Sequence, residues 1–156
     1  IGMIHESLKV YKQVGEIKEL EKILPDFEGN IGIGHTRWAT HGKVSTINAH
    51  PHTDCLDSII VVHNGIIENH QALKEWLLEK GHNFKSETDT EIVSHLIEEE
   101  MKNGREFEEA AKIALKKLEG SYALLVMHKD DNRMIAVRKG SPLVLGFHSV
   151  SMFFRS

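Results

Sequence analysis

Four consecutive β-branched residues, Ile59-Ile60-Val61-Val62, constrain this chain more than any other stretch. Successive side chains of a strand point to opposite sides of a sheet, so an unbroken apolar run suits a strand buried on both faces. The expected strand covers residues 58–63. Helical periodicity follows it. Residues 68–80 read as a helix with Ala72, Leu73, Trp76 and Leu77 on one face and Gly81 as its stop. A second helix is expected from Thr88, because Thr88 and Glu91 have capping-box spacing and Ile92, Val93, Leu96, Ile97 and Met101 form a stripe. A third spans 106–119, with Phe107, Ala110, Ala111, Ala114, Leu115 and Leu118 inward. Strands return at 122–127, 134–137 and 143–147, with a turn at Asp130-Asp131-Asn132. Upstream, residues 8–14 fit a half-buried strand, 16–24 a short amphipathic helix stopped before Pro25, and Ile31-Gly32-Ile33-Gly34 a strand. Helices grouped in the middle and hairpin-linked strands at the end predict an α+β fold with a largely antiparallel sheet.

The 156 residues, 40% hydrophobic and 27% charged, fit one domain spanning 1–156 with a core of ordinary size. A formal charge of −4 gives no electrostatic case for a nucleic-acid partner, which needs Lys and Arg against phosphates. No apolar run approaches the roughly 18 residues of a transmembrane helix, so no membrane partner is expected. One cysteine, Cys55, excludes an intrachain disulfide and points to a reducing, cytoplasmic setting. The opening Ile1-Gly2-Met3-Ile4 has no signal-peptide character and, lacking an initiator Met, reads as the inside of a longer polypeptide.

Three polar stretches are expected to meet at one small-molecule site: Gly34-His35-Thr36-Arg37-Trp38-Ala39-Thr40-His41-Gly42, His63-Asn64-Gly65, and Ser86-Glu87-Thr88-Asp89-Thr90-Glu91. Each has a plainer reading. Asn64-Gly65 resembles a hairpin turn, but only Ile66-Ile67 follow before helical periodicity begins. At a strand end it would offer a side-chain amide and an unhindered backbone N–H, the two donors of an oxyanion hole. Arg37 beside Trp38 is either a surface stack or a guanidinium fork for a carboxylate with an aromatic wall. Asp89 is either an acidic residue favoured near a helix N-terminus or a carboxylate for a substrate ammonium. Arginine and aspartate together suit an amino acid. The histidines at 35, 41, 50, 52 and 63 are dense, yet no His-x-x-x-His pair falls on a helix and Cys55 has no cysteine partner at zinc spacing. No metal and no cofactor are therefore expected. Cys55 as a nucleophile lacks a recognisable nucleophile turn and reads as a small hydrophobe.

These strings, with Asn48-Ala49-His50-Pro51-His52, Val62-His63-Asn64-Gly65-Ile66-Ile67-Glu68-Asn69, Gly120-Ser121-Tyr122-Ala123 and Arg138-Lys139-Gly140-Ser141-Pro142-Leu143, resemble the glutaminase domain of glucosamine-6-phosphate synthases, which are class II glutamine amidotransferases. The resemblance covers roughly residues 5–147. It implies the four-layer αββα sandwich of N-terminal nucleophile (Ntn) hydrolases. It implies glutamine as substrate, with Arg37 on the α-carboxylate and Asp89 on the α-amino group. Trp38, Thr40 and His41 would belong to a loop that closes over glutamine, and Asn64 and Gly65 would form the oxyanion hole. It further implies a sugar-isomerase domain in the same polypeptide, transfer of the amide nitrogen to fructose 6-phosphate, and a homodimeric full-length enzyme.

The sequence departs from the family at one decisive point. The family's nucleophile is an N-terminal cysteine, whereas residue 1 here is Ile. The family's first strand is also expected to be missing. The chain as given is thus expected not to hydrolyse glutamine, and a non-catalytic glutamine-binding or structural relic is the alternative. Residues 148–156 leave the family's pattern and carry no expectation.

Overall fold

A computed structural model describes residues 1–4, 7–26, 31–37, 43–148 and 151–155. The apolar run at 59–62 lies in β5 (Ile59–Ile67), a nine-residue strand at the centre of the chain. Along its whole length β5 pairs antiparallel with β6 (Gly120–His128), from Ile59 opposite His128 to Ile67 opposite Gly120. The short β4 (His52–Thr53) flanks β5 and β7 (Met134–Lys139) flanks β6, giving the order β4-β5-β6-β7.

Period-two alternation divides the β5 side chains between two cores. Ile59, Val61 and Ile67 face a helical layer and pack, with Leu124 and Val126 of β6, against Ile92, Val93, Leu96, Ile97, Phe107 and Ala111. Ile60 and Val62 face the other way and meet Ile4, Ile33 and Met127. That second core lies under a smaller antiparallel sheet, β2-β1-β3, built from β1 (Gly2–Ile4), β2 (Leu8–Val10) and β3 (Ile31–Ile33). Each fully buried aliphatic side chain contributes about 1.5–3 kcal/mol. Covering both faces of β5 therefore does more for stability than any local propensity. The layers run α, β, β, and the mixed α and antiparallel β composition agrees with the expected class.

The helical layer comprises α2 (His70–Glu79), α3 (Glu91–Lys102) and α4 (Phe107–Leu115). All three start later than periodicity suggested. β5 runs on to Ile67, so α2 begins at His70; Leu73, Trp76 and Leu77 turn inward, while Ala72 is exposed. The capping box at Thr88 does not form. α3 begins at Glu91 after an N-cap Thr90 whose side chain makes no capping bond. The Glu91 carboxylate instead accepts the backbone N–H groups of Lys85 (2.7 Å) and Ser86 (2.6 Å). α3 is buried nearly all round, including Ser94, His95, Glu98 and Glu100. Glu100 is neutralised by Arg105 (2.7 Å) and Lys117 (2.6 Å), as a buried carboxylate requires.

The helix expected at 16–24 shrinks to α1 (Ile17–Glu21), which buries no residue; Ile17 is 60% exposed. None of its apolar residues belongs to either of the two cores. Two strands, β8 (Val144–His148) and β9 (Ser151–Arg155), form a separate hairpin where the sequence carried no expectation beyond residue 147. No helix among the described residues is long and apolar enough to cross a membrane.

Candidate functional site

The segment following β3, the far half of β5 and the approach to α3 converge on a cleft of about 310 Å³. His35 and Arg37 line it with His63, Asn64, Gly65, Thr88, Asp89 and Thr90. The three polar stretches singled out in the sequence therefore meet. Asn48, itself buried, ties the segment at Lys43 to Glu87. Its amide donates to the Lys43 carbonyl (3.0 Å) and to the Glu87 carboxylate (3.2 Å), and its own oxygen accepts the Glu87 N–H (3.0 Å).

Asn64 and Gly65 are not at a strand end. They lie inside β5, opposite Ala123 and Tyr122. The turn reading fails, because the returning strand is β6 and comes from more than fifty residues away. Gly65 has φ +130°, and a Cβ there would lie 2.0 Å from the Ser121 carbonyl oxygen. Only glycine fits such a close approach of two strands. The Asn64 side chain has a fixed direction: its Oδ1 lies 2.6 Å from His35 Nε2. An amide oxygen only accepts, so His35 Nε2 carries the proton and the amide's NH2 end points away from the imidazole.

Asp89 is 3% exposed, at the floor of the cleft. Its Oδ2 accepts the backbone N–H of Ile67 (2.9 Å), which ties the end of β5 to the start of α3. Its Oδ1 accepts the Thr90 hydroxyl (3.4 Å) and lies 3.9 Å from His63 Nδ1. With its proton directed to Asp89, the Thr90 hydroxyl accepts from His63 Nδ1 at 3.0 Å. Arg37 is half-buried and donates from Nη1 to the Lys43 carbonyl (3.1 Å). This bond orients the guanidinium at the rim of the cleft. Trp38, Thr40 and His41 lie outside the described residues.

The histidines beside the cleft form a stack. His50 sits between His35 and His52, with ring centroids 4.2 and 4.9 Å away. Burial pushes the pKa of all three down, His52 to about 3 and His50 further. The stack is neutral near pH 7 and adds no positive charge next to Arg37. His52 Nε2 bonds the Thr88 hydroxyl (3.1 Å), which also contacts the Ser86 hydroxyl (3.1 Å). Sequence reading gave no role to His35, Asn48, His63 or Thr90. All four stood inside the informative strings, but which atoms they would meet depends on tertiary contacts 27–39 residues away.

Cys55 does not line the cleft. It lies instead with His82, His95 and Glu98.

The glutamine amidotransferase domain family matches residues 35–156. The chain is 54% identical over 154 residues to a glutamine–fructose-6-phosphate aminotransferase (isomerizing) of Thermococcus kodakarensis, covering 97% of this chain and 26% of that protein. It is 48% identical over 153 residues to the protein of that name from Thermotoga maritima, covering 96% and 25%. The chain thus spans about a quarter of the length of these relatives. Among solved structures, glutamine phosphoribosylpyrophosphate amidotransferase of B. subtilis superposes with a TM-score of 0.64 at 28% identity, over 77% of this chain and 26% of that one. The allosteric regulatory enzyme of purine biosynthesis gives 0.60 at 30% identity, over 72% and 24%. The two antiparallel sheets under one helical layer are consistent with an Ntn-type amidotransferase sandwich; a second helical layer is not seen among the described residues.

Proposed function

Because the chain belongs to the glutamine amidotransferase domain family, we propose that its cleft binds glutamine and serves release of the amide nitrogen. In this reading Arg37 takes the α-carboxylate and Asp89 the α-ammonium. Trp38, Thr40 and His41 belong to a loop closing over the substrate. The observation that carries the reading is the convergence of Arg37, Asp89, Asn64 and Gly65 on one cleft. An amino acid with an amide side chain requires a cation, an anion and carbonyl-directed donors together.

The chemistry follows from those positions. A thiolate attacks the side-chain amide carbon, and its oxygen takes up negative charge. The Asn64 amide, oriented by His35, and the Gly65 backbone N–H stabilise that oxyanion. The proton that the thiol gave up passes to the amide nitrogen, the C–N bond breaks to release ammonia, and water cleaves the remaining glutamyl thioester to glutamate and the free thiol. Cys55 is the one cysteine of the sequence and lies outside the cleft, so the attacking thiol belongs to a cysteine beyond these 156 residues. Residues 1–156 are then the glutaminase domain of a longer, cytoplasmic, homodimeric enzyme. A sugar-isomerase domain of the same polypeptide would accept the ammonia onto fructose 6-phosphate to give glucosamine 6-phosphate.

The test is glutamate release by the full-length protein. Arg37→Ala should raise KM for glutamine by about 10-fold or more, as loss of a charge-assisted pair costs roughly 1.5–3 kcal/mol. An unchanged KM removes Arg37 from the site. Glutamine binding without any glutamate release would select the non-catalytic relic instead.

A further inference from the structure

We propose that Cys55, His82, His95 and Glu98 form a structural zinc site, separate from the glutamine cleft. The four come from three places in the chain. Cys55 stands in the loop between β4 and β5, and His82 just after α2. His95 and Glu98 are one turn apart on α3. One ligand atom from each lies within 4.8 Å of all the others.

Five of the six distances among these atoms have the size of a coordination sphere, and the sixth, Cys55 Sγ to Glu98, is within 4.8 Å. Metal–nitrogen bonds of ~2.05 Å and a metal–sulfur bond of ~2.3 Å, set at tetrahedral angles, place neighbouring nitrogens roughly 3.3 Å apart and sulfur roughly 3.5 Å from nitrogen. Here His82 Nδ1 and His95 Nδ1 are 3.2 Å apart, and Cys55 Sγ lies 3.7 and 3.5 Å from them. Glu98 Oε2 is 3.0 Å from His82 Nδ1 and 3.3 Å from His95 Nδ1.

The outer atoms are arranged as supports for such ligands. His82 Nε2 faces Glu99 Oε2 at 3.1 Å, and His95 Nε2 faces Glu91 Oε1 at 3.5 Å. Around a bound metal both Nδ1 lone pairs would face the ion, and both outer nitrogens would donate their ring proton to these carboxylates. The Asn83 N–H donates to Cys55 Sγ (3.4 Å), and Lys102 holds the other oxygen of Glu98 at 2.8 Å. Glu98 Oε2 also accepts the Cys55 backbone N–H (3.1 Å), which fixes the carboxylate beside the thiol. Two imidazole nitrogens, a carboxylate oxygen and a sulfur then face one point. A divalent cation satisfies all four, and a thiolate with a carboxylate makes the buried site neutral overall. His82 and His95 are at most 1% exposed, whereas Cys55 is only half-buried and leaves a way in.

Thiolate with imidazole selects zinc over magnesium or calcium, and four protein ligands leave no position for a substrate. The site therefore acts as a staple between the β4–β5 loop, the end of α2 and α3. Zinc-site spacing rules look for a second cysteine or for histidines paired on one helix, and neither is present. The ligands here are a lone cysteine, two later histidines and a glutamate.

The decisive experiment is metal analysis and cobalt substitution on the full-length protein, purified without a histidine tag or metal resin. The expected result is about one zinc per chain. Co2+ added after chelation should give tetrahedral visible bands and a thiolate-to-cobalt charge-transfer band. Cys55→Ser should abolish the charge-transfer band. Glu99→Gln, which alters only the support of His82, should weaken Zn2+ binding by roughly 10–100-fold. Zinc at about a hundred times its dissociation constant should raise Tm of the chelated protein by roughly 5–10 °C. A protein that retains no zinc and gives no charge-transfer band with Co2+ overturns the proposal, as does a band that survives Cys55→Ser. If Cys55→Ser fails to fold, the wild-type cobalt spectrum decides alone.

Discussion

Asp89 is proposed to do two jobs, and two substitutions separate them. Its Oδ2 accepts the N–H of Ile67, a residue with no exposed surface, at 2.9 Å. Asp89→Ala strands that N–H in a dry setting and removes the acceptor of the Thr90 hydroxyl. An orphaned buried donor costs about 1–3 kcal/mol, and an ionised acceptor places the loss at the upper end, ~2–3 kcal/mol. With a urea m-value of about 1–3 kcal/mol/M, the unfolding midpoint should fall by roughly 1–2 M. Asp89→Asn keeps an oxygen for Ile67, and its NH2 can donate to the Thr90 hydroxyl oxygen in place of the lost charge. Its midpoint should stay within about 0.5 M of wild type. The ammonium of glutamine, however, loses its counter-charge, worth roughly 1.5–3 kcal/mol, or ~10–150-fold in affinity. Urea unfolding followed by circular dichroism and glutamine titration by calorimetry read the two effects on the same proteins. If Asp89→Asn binds glutamine as tightly as wild type, Asp89 does not hold the ammonium. If Asp89→Ala unfolds at the wild-type midpoint, the Ile67 bond does not anchor β5 to α3.

Three further outcomes follow from the same geometry. Gly65→Ala should destabilise by at least ~2 kcal/mol, because φ +130° is strained for an L-residue and its Cβ would meet the Ser121 oxygen; a thermal melt within 1 °C of wild type would contradict this. Asn64→Ala should lower kcat by about 10²–10³ if the amide donates to the oxyanion. His35→Ala should cost less, and almost nothing in the Asn64→Ala background, so additive losses would refute the orienting role of His35. Stability should also fall in mild acid. The folded pKa of His52 is depressed to about 3 from 6.5, so its contribution is complete above 6.5 and is lost as pH falls towards 3. His52→Gln should flatten the urea-midpoint profile between about pH 6 and 4, and an unchanged slope would show that His52 is not the group being protonated.

Much of the fold was legible because periodicity is a local property. The β-branched run at 59–62 required cover on both faces, and the stripes of α3 and α4 identified one of the covering layers. Starts and stops were less legible. Thr88 and Glu91 had the right spacing for a cap, but His52 and the N–H groups of Lys85 and Ser86 compete for the same oxygens. α1 shows the limit from the other side, since an amphipathic spacing says nothing about whether a surface exists to receive it.

The site divides in the same way. By itself the sequence determined which residue types are present: Arg37, Asp89, Asn64 and Gly65 stand in strings long enough to mark a family. Only the tertiary structure decided what those atoms face. It placed Asn64-Gly65 inside a nine-residue strand rather than at its end, because β6 arrives from the far side of three helices to pair with it. It tied Asn64 to His35 and Asp89 to Ile67. It also brought a cysteine, two histidines and a glutamate from residues 55–98 to one point. No spacing rule reports such contacts, since the distance between two side chains is set by how the layers pack and not by their separation along the chain.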